Sequence, residues 1–449
     1  MRDLRSLERA LGRLDLGELA ERRWFHGKAQ RPTALRLVDA FALEAVEGGW
    51  LVLADVAHEG GSRDRYQLPG LLEQGELVEP PPEHGYWRAL AALVAGGSEL
   101  MGVTGRAVAT PPLRPVAPEG EGRRLSDDQS NTSIVLGDRV VVKCYRLVLP
   151  GAHPEPELLA ALSGVGSRRA PRFLGSLARH SDEGEETLLC LYAYVPGEPV
   201  GWEPIIERVR RALSGDDPGA LEAEIEEAAT LGLAAGELHV ALTSALGVRR
   251  AGADVAARAV ETARRRLEEA RRLAGGELAA AVASVERDLA AALGELELLA
   301  GSLLTRTHGD LHVAQFVSTR DGPVAIDFEG EPGLELEARR RFGSPLRDLA
   351  CLLLSLDHVA VAAARRLPSG DGMERALAWS TRAREAATSA YREAIAGSPL
   401  CFDARLLHAL EVEKELHEVV YAATVLPEWS YAPALVLPRL VAPSRLYER

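Results

Sequence analysis

Cysteine, methionine and aromatic residues are scarce in this chain of 449 residues. It contains four cysteines and three methionines, and aromatic side chains make up 5% of the sequence. The cysteines are far apart along the chain and show no metal-ligand pairing: Cys144, Cys190, Cys351 and Cys401. This spacing argues against a disulfide scaffold and indicates a reducing compartment.

A long uninterrupted apolar run is also lacking. The longest apolar stretch, residues 349–364, is broken by Asp357 and His358. It is shorter than the roughly 20 residues that a membrane-spanning helix needs. The first sixteen residues are charged throughout and lack the apolar core of a signal peptide. We therefore expect a soluble, cytoplasmic protein without a membrane partner.

Positive charge is the third deficit. The chain has 52 Lys and Arg against 66 Asp and Glu, a net charge of −14 and a pI of about 5.4. Nucleic-acid backbones require basic surface, so we expect no nucleic-acid partner. Hydrophobic residues make up 47% of the sequence, which is enough for full-size cores. The length suggests two or three domains.

Proline- and glycine-rich breaks divide the chain. A first domain is predicted to end near residue 110, before the prolines of residues 111–115. Two β-branched runs, residues 133–136 and 140–145, predict a hairpin. Helical periodicity dominates the second half. We therefore expect an α+β protein of two lobes, with domains at residues 1–110, 111–200 (β-rich) and 201–449 (helical).

The segment that carries chemistry is residues 307–315, THGDLHVAQ, followed by a short predicted strand that ends in Asp327. A phosphoryl-transfer site of the kinase type uses one Asp as the base for the attacking hydroxyl, and a downstream amide and a second Asp as metal ligands. Asp310 fits the base, and Gln315 and Asp327 fit ligands of Mg²⁺, which prefers oxygen donors.

An upstream lysine and glutamate complete the pattern. Such a site needs a strand lysine for the nucleotide phosphates and a helix glutamate that orients it. Lys143 follows three valines on a predicted strand, and Glu157 lies on the next predicted helix. Each element has an ordinary structural alternative: a capping Asp, a solvated lysine or a surface glutamate. Their joint order favours a phosphotransferase.

Several further segments carry a family resemblance. They are residues 23–28 (RWFHGK), 66–69 (YQLP), 128–133 (DQSNTS), 308–315, 327–332 (DFEGEP) and 344–348 (SPLRD). In these segments the chain resembles the maltokinases and related glucosamine kinases of actinobacteria. The resemblance implies a bilobal protein-kinase-like (aminoglycoside-phosphotransferase-like) fold with an N-terminal cap domain. It also implies a mainly helical C-terminal lobe.

The resemblance also implies ATP and Mg²⁺ as cofactors. A polar loop would cover the ATP phosphates, and it comprises Gln129, Ser130, Asn131, Thr132 and Ser133. Its alternative is a polar turn between strands. Leu191 and Tyr192 would lie on the strand that meets adenine. Asp310 would be the catalytic base, with Gln315 and Asp327 as metal ligands and Glu329 as a second acidic candidate.

The acceptor site is sought on the C-terminal helix. Its candidate residues there share one helix face: Glu411, Lys414, Glu418 and Tyr421. Trp429 offers an aromatic face to a sugar ring, and His312 of the central motif is a further candidate. The alternative is a solvated ladder of ion pairs beside a core tryptophan.

Three hypotheses follow from the sequence. The first is a maltokinase that makes maltose 1-phosphate in α-glucan metabolism, for which the resemblance allows a trehalose synthase partner. The second changes the acceptor to glucosamine or an aminoglycoside, because residues 429–433 (WSYAP) are similar to the glucosamine kinases. The third is a nucleotide-binding regulator without turnover.

Overall fold

The computed structural model describes residues 4–26, 30–112, 117–125, 130–215, 218–367 and 372–441. The chain separates into two compact units, and both mix helices with strands. The first unit comprises residues 1–163, 171–196 and 333–340, and the second comprises residues 164–170, 197–332 and 341–449. The α+β class predicted from the sequence is confirmed.

Two antiparallel sheets form the first unit. One has the strand order β1 (Pro32–Ala42), β2 (Gly49–His58), β3 (Arg63–Glu73), β4 (Glu76–Val78). The other has the order β5-β6-β10-β11-β9-β8-β7, with β5 (Glu99–Met101), β6 (Arg106–Thr110), β7 (Gly122–Arg124), β8 (Thr132–Leu136), β9 (Val140–Cys144), β10 (Phe173–Ser181) and β11 (Gly184–Ala193). Its helices are α1 (Leu4–Leu11), α2 (Leu16–Glu21), α3 (Gly85–Ala95) and α4 (Pro154–Gly164).

Strand β2 shows how the first sheet is held. Successive strand residues point to opposite faces. Leu51 and Leu53 therefore pack into a core shared with the seven-stranded sheet. Val52 and Ala54 pack on the other face against α1 and Phe25. Apolar residues on both faces of β2 bind the two sheets into one unit.

The predicted boundary at residue 110 is not a boundary between sheets. Strands β5 and β6, which that boundary assigned to the first domain, hydrogen bond within the seven-stranded sheet. The buried guanidinium of Arg179 on β10 adds a polar link, because its Nε donates to Asp39 Oδ2 of β1 at 2.7 Å. Non-local pairing of this kind leaves no proline or glycine signal in the sequence, and the domain division at residue 110 stays a prediction.

The second unit is mainly helical. Its helices are α5 (Trp202–Ser214), α6 (Pro218–Leu246), α7 (Ala253–Leu273), α8 (Gly276–Ser284), α9 (Glu286–Gly294), α11 (Pro345–Arg365), α12 (Gly372–Ile395), α13 (Ala404–Thr424) and α14 (Tyr431–Val441). The short α10 (Leu336–Arg339) belongs to the first unit. The small strands are β12 (Glu198–Pro199), β13 (Arg249–Arg250), β14 (Leu303–Leu304), β15 (Phe316–Ser318) and β16 (Val324–Ala325).

Helix α11 is the core of the second unit. It is buried along almost its whole length, and helices α5, α6, α12, α13 and α14 pack around it. The two polar residues that interrupt its apolar run are paired, Asp357 with Arg384 and His358 with Glu415. Helix α6 contains a stretch (Gly219–Leu246) long and apolar enough to span a membrane, but 50% of its most apolar window is buried in the protein. That burial is typical of a core helix.

Candidate active site

Lys143 is a buried strand lysine in the first unit. It lies on β9 between β8 and β11, and its Nζ is 2.9 Å from Glu155 Oε2. Glu155 is buried in the first turn of α4, and the Tyr145 hydroxyl donates to the same carboxylate at 2.6 Å. The predicted partner, Glu157, is wrong. Residues two apart do not share a helix face, and Glu157 instead pairs with Arg340 at 2.8 Å.

The predicted phosphate-covering loop is described in part. Gln129 lies outside the described residues, and Ser130 is exposed. The Asn131 Oδ1 accepts from the backbone N–H of Arg146, and Thr132 Oγ1 accepts from its Nε at 2.8 Å. Thr132 and Ser133 are buried at the start of β8. Leu191 and Tyr192 are buried on β11 opposite Val142 and Val141. A nucleotide role for these residues stays a prediction.

In the second unit, the side chain of Asp348 forms hydrogen bonds with the backbone of the HGD segment, residues 308–310. The backbone N–H groups of His308 and Gly309 donate to its two carboxylate oxygens at 2.7 and 2.9 Å. Burial alone would raise the pKa of this carboxyl, but the hydrogen bond and charge of His239, together with His308 and the Gly309 N–H, lower it. Gly309 is required here, because its φ is +90° and an added Cβ would lie 3.0 Å from Gly330 Cα.

Asp310 follows this anchored turn and faces three side chains. The Lys414 ammonium is 3.6 Å from Oδ1, His312 Nε2 is 3.8 Å from Oδ2, and the Cys351 thiol donates to Oδ1 at 3.9 Å. Burial raises the pKa of the Cys351 thiol well above its ordinary value, so the thiol remains a neutral donor. Asp310 thus has the hydrogen-bonding environment of a positioned general base.

Asp327 and Glu329 supply carboxylates after β16. Their oxygens lie within 4.8 Å of each other. Asp327 has a φ of +66°, a backbone conformation uncommon outside glycine and tolerated best by Asn and Asp. The backbone of Gln315 is joined to this segment, because its carbonyl accepts from the N–H of Ile326 at 2.9 Å. Asp327 and Glu329 thus offer two carboxylates of the kind that suits Mg²⁺, and the Gln315 side chain lies 3.4 Å from His312 Nε2.

The predicted acceptor residues on α13 separate into two groups. Lys414 and Glu418 lie together beside Asp310, with 3.0 Å between the ammonium and Glu418 Oε1. Glu411 is fully buried and pairs with Arg384 at 2.6 Å. The structure therefore places it in the interior of the second unit and not beside Asp310. Tyr421 is 41% exposed about two turns beyond Lys414.

Positively and negatively charged side chains lie close together in this part of the second unit. Burial opposes ionisation of Lys414, but neighbouring acidic groups, including Glu418 and Asp310, outweigh it and raise the ammonium pKa. Burial likewise opposes ionisation of Glu418, yet Lys414 lowers the pKa of that carboxyl. Glu331 is also desolvated, and Arg347 and Lys414 bring its pKa down to about 2. Two fixed cations, Lys414 and Arg347, therefore offset part of the negative charge of three carboxylates, those of Asp310, Glu418 and Glu331.

Aromatic rings continue the site away from Asp310. Trp202 lies over His312 with ring centroids 5.3 Å apart, and Trp429 lies 6.2 Å from Trp202 at 69°. Trp429 also contacts His358 and Tyr431. Tryptophans 202 and 429 are both partly exposed. Trp429 thus packs against a core cluster and keeps part of its ring exposed. Both sequence-based interpretations, a core residue and an exposed aromatic face, therefore apply in part.

Sequence reasoning missed several contributors: Glu155, Trp202, Glu331, Asp348 and Cys351. Asp348 falls within a segment that carried the family resemblance, but nothing in its spacing showed that it holds the HGD turn. Trp202 follows a proline- and glycine-rich linker, which gives no hint of a site. Glu155 and Glu157 lie two residues apart near the start of α4. Sequence periodicity does not fix a helix start closely enough to tell which of the two faces the strand.

Comparison with known proteins shows which family the chain resembles. Residues 121–379 match the phosphotransferase enzyme family, and residues 19–89 match the maltokinase N-terminal cap domain. A glucosamine kinase of Streptacidiphilus jiangxiensis is 32% identical over 335 residues, which cover 74% of this chain and 75% of that protein. A glucosamine kinase of Mycolicibacterium smegmatis is 32% identical over 71% of this chain and 79% of that protein.

Solved structures agree with this placement. A glucosamine kinase in complex with glucosamine, ADP and inorganic phosphate is similar with a TM-score of 0.75 and 26% identity. The match covers 96% of this chain and 98% of that chain. A second crystal form of a glucosamine kinase gives a TM-score of 0.77 at 27% identity. The predicted fold, a kinase-like phosphotransferase with an N-terminal cap domain, is confirmed.

Proposed function

The chain belongs to the phosphotransferase enzyme family and acts on a sugar hydroxyl, and we propose that its acceptor is a neutral sugar, maltose first, which it converts with ATP to maltose 1-phosphate. The observation that carries this choice is the Lys414 ammonium beside the Asp310 carboxylate. The match to a maltokinase cap domain supports it.

Charge at the acceptor side is the physical argument. An amino sugar brings an ammonium group, which would have to share the nearby carboxylates with the fixed cations. Here Lys414 pairs with both Asp310 and Glu418, and Arg347 pairs with Glu331 at 2.7 Å. A second ammonium would be repelled by Lys414 in a partly desolvated site, where charges interact more strongly than in water. Hydroxyl groups meet no such penalty.

Side chains of the candidate site supply each step of the proposed phosphoryl transfer. Asp310 takes the proton of the sugar hydroxyl as its oxygen attacks the γ-phosphorus in line, and the bond to ADP breaks. Asp348 keeps the HGD turn in place during this step. Lys143, oriented by Glu155, binds the α/β-phosphates. Gln315, Asp327 and Glu329 would hold Mg²⁺, which supplies charge neutralisation for the phosphates when bound.

A second candidate is a glucosamine kinase. It is favoured by the relatives of that name, one of which, a solved structure, covers 96% of the chain. On this alternative the acceptor amine would have to displace Lys414 from Glu418 or find another carboxylate. The two candidates share phosphate chemistry and differ only in the acceptor.

An ADP-release assay with ATP and Mg²⁺ separates them, using maltose, glucose, glucosamine and an aminoglycoside in parallel. We expect turnover with maltose and little with either amino compound. Lys414→Met should raise the ratio of kcat/KM for glucosamine to that for maltose by about tenfold, because the repelling cation is removed. Preferred turnover of glucosamine by the unaltered protein would overturn the neutral-sugar proposal.

A further inference from the structure

We propose that Trp202, His312 and Trp429 form an aromatic wall that binds a second sugar ring, so that the enzyme selects acceptors by chain length. This inference rests on the proposed function, since it assigns the ring that does not react. Trp202 is its central residue, and no spacing in the sequence linked it to the site.

The backbone fixes where Trp202 lies. Strand β12 pairs antiparallel with β15, and Pro199 is opposite Val317. Continued past the strand, this register brings residue 202 towards the short 3₁₀ helix Val313–Gln315 and His312 before it. Gly201, with a φ of +55°, makes the turn that starts α5 with Trp202. The indole therefore reaches His312 from the linker side, at an interplanar angle of 31°.

Trp429 completes the wall from the opposite end of the unit. It ends the 3₁₀ helix Pro427–Trp429 after α13, and packs against a cluster that includes Leu354 and Val436. Its ring meets Trp202 at 69°, so the two indoles form a corner. The His358 ring approaches Trp429 edge-on, with centroids 6.4 Å apart. Packing on several sides keeps the corner rigid, and a preformed surface binds with a smaller ordering cost.

The wall is chemically unlike the cluster beside it. The wall consists of aromatic rings, whereas Asp310, Lys414 and Glu418 carry carboxylate and ammonium groups. Pyranose rings present C–H faces to aromatic faces and hydroxyls to charged groups. The charged cluster suits the reacting ring, and the aromatic wall suits a ring linked to it.

The order of the groups sets a direction. His312 is in contact with Asp310, Trp202 lies one ring beyond His312, and Trp429 lies beyond Trp202. His312 is the member of the wall that contacts Asp310. A monosaccharide bound at Asp310 gains little from Trp202, while a disaccharide covers the indole with its second ring. The ligand class is a neutral oligosaccharide of two rings or more.

Chain-length dependence tests the inference. We would measure kcat/KM for maltose and glucose in the full-length enzyme, in Trp202→Leu and in Trp202→Phe. Leucine keeps apolar volume without an aromatic face, and phenylalanine keeps the face. We expect Trp202→Leu to lower kcat/KM for maltose by about tenfold, with glucose changed less than about twofold, and Trp202→Phe to retain most of the preference.

Each outcome has a distinct meaning. Equal losses for maltose and glucose in Trp202→Leu, or a wild-type enzyme without preference for maltose over glucose, would overturn the second-ring subsite and leave the sugar-kinase proposal intact. An enzyme that uses glucosamine alone would overturn the proposed function itself. If Trp202→Leu does not fold, Trp429→Leu and the fluorescence change of the wild-type tryptophans on titration with maltose and glucose decide the same question. A larger change with maltose is expected.

Discussion

The carboxylate of Asp348 accepts a hydrogen bond from the imidazole of His239 at 3.0 Å, and both side chains are almost completely buried. The same carboxylate accepts hydrogen bonds from the backbone N–H groups of His308 and Gly309, which precede Asp310. The Tyr391 hydroxyl contacts the other nitrogen of His239 at 3.0 Å. The turn before Asp310 is thus held by a carboxylate that is itself almost completely buried.

Asp348→Asn should weaken this support. An amide has one acceptor oxygen, so at least one backbone N–H of the HGD turn loses its charged partner, at a cost of about 1–3 kcal/mol. We expect a lower free energy of unfolding in urea and a lower kcat, with KM for ATP nearly unchanged. Asp288→Asn, an exposed position on α9, is the matched control. A variant with wild-type kcat would show that the anchor is dispensable.

Asp310→Asn tests the base directly. General-base catalysis contributes about 10² to 10⁴ in rate, so kcat should fall by that factor while ATP affinity changes little. Single-turnover kinetics with ATP and maltose give the chemical step, and equilibrium titration with ADP gives nucleotide binding. Retention of near-wild-type turnover would remove Asp310 from the mechanism.

Glu155 and Glu157 form a natural pair for mutation. Glu155→Gln removes the charged partner of the buried Lys143, which should raise KM for ATP or lower kcat/KM by about tenfold or more. Glu157→Gln loses an ion pair with Arg340 near the surface and should change kcat/KM less than twofold. The reverse order of effects would restore the sequence-based assignment. Steady-state kinetics at varied ATP distinguish these outcomes.

Glu331 should make stability depend on pH. Its pKa is about 2 in the folded protein and 4.5 ordinarily, so its contribution is complete above pH 4.5 and is lost as pH falls towards 2. The shift corresponds to about 3 kcal/mol. The difference in free energy of unfolding between the wild type and Glu331→Gln should be constant from pH 7 to pH 5.5 and shrink below pH 4.5. A difference independent of pH across this range would contradict the ion-pair account.

Asp327→Asn tests metal binding without relying on turnover alone. Loss of one carboxylate should weaken Mg²⁺ binding in the presence of ADP, measured by calorimetric titration, and raise the Mg²⁺ concentration at half-maximal activity. Asp321→Asn, on the exposed turn before β16, is the control. An unchanged Mg²⁺ requirement in Asp327→Asn would move the metal site elsewhere.

Much of this site could be predicted because its chemistry is local. The HGD segment, Gln315 and Asp327 all fall within residues 308–327, Lys143 follows three valines, and each residue type is one that phosphoryl transfer requires. Strand and helix periodicity also placed β8, β9 and α4. These features depend on neighbours within a few residues, which a sequence displays directly.

Tertiary structure decided the rest. Glu155 replaces Glu157 because the packing of α4 on β9 selects one helix face. Lys414 meets Asp310, and Trp202 meets Trp429, across more than a hundred residues of chain, and no local periodicity encodes such contacts. The sequence by itself determined the reaction class, since phosphoryl transfer demands particular groups in order. The proposed acceptor surface consists of side chains that are distant in sequence, and packing around α11 brings them together.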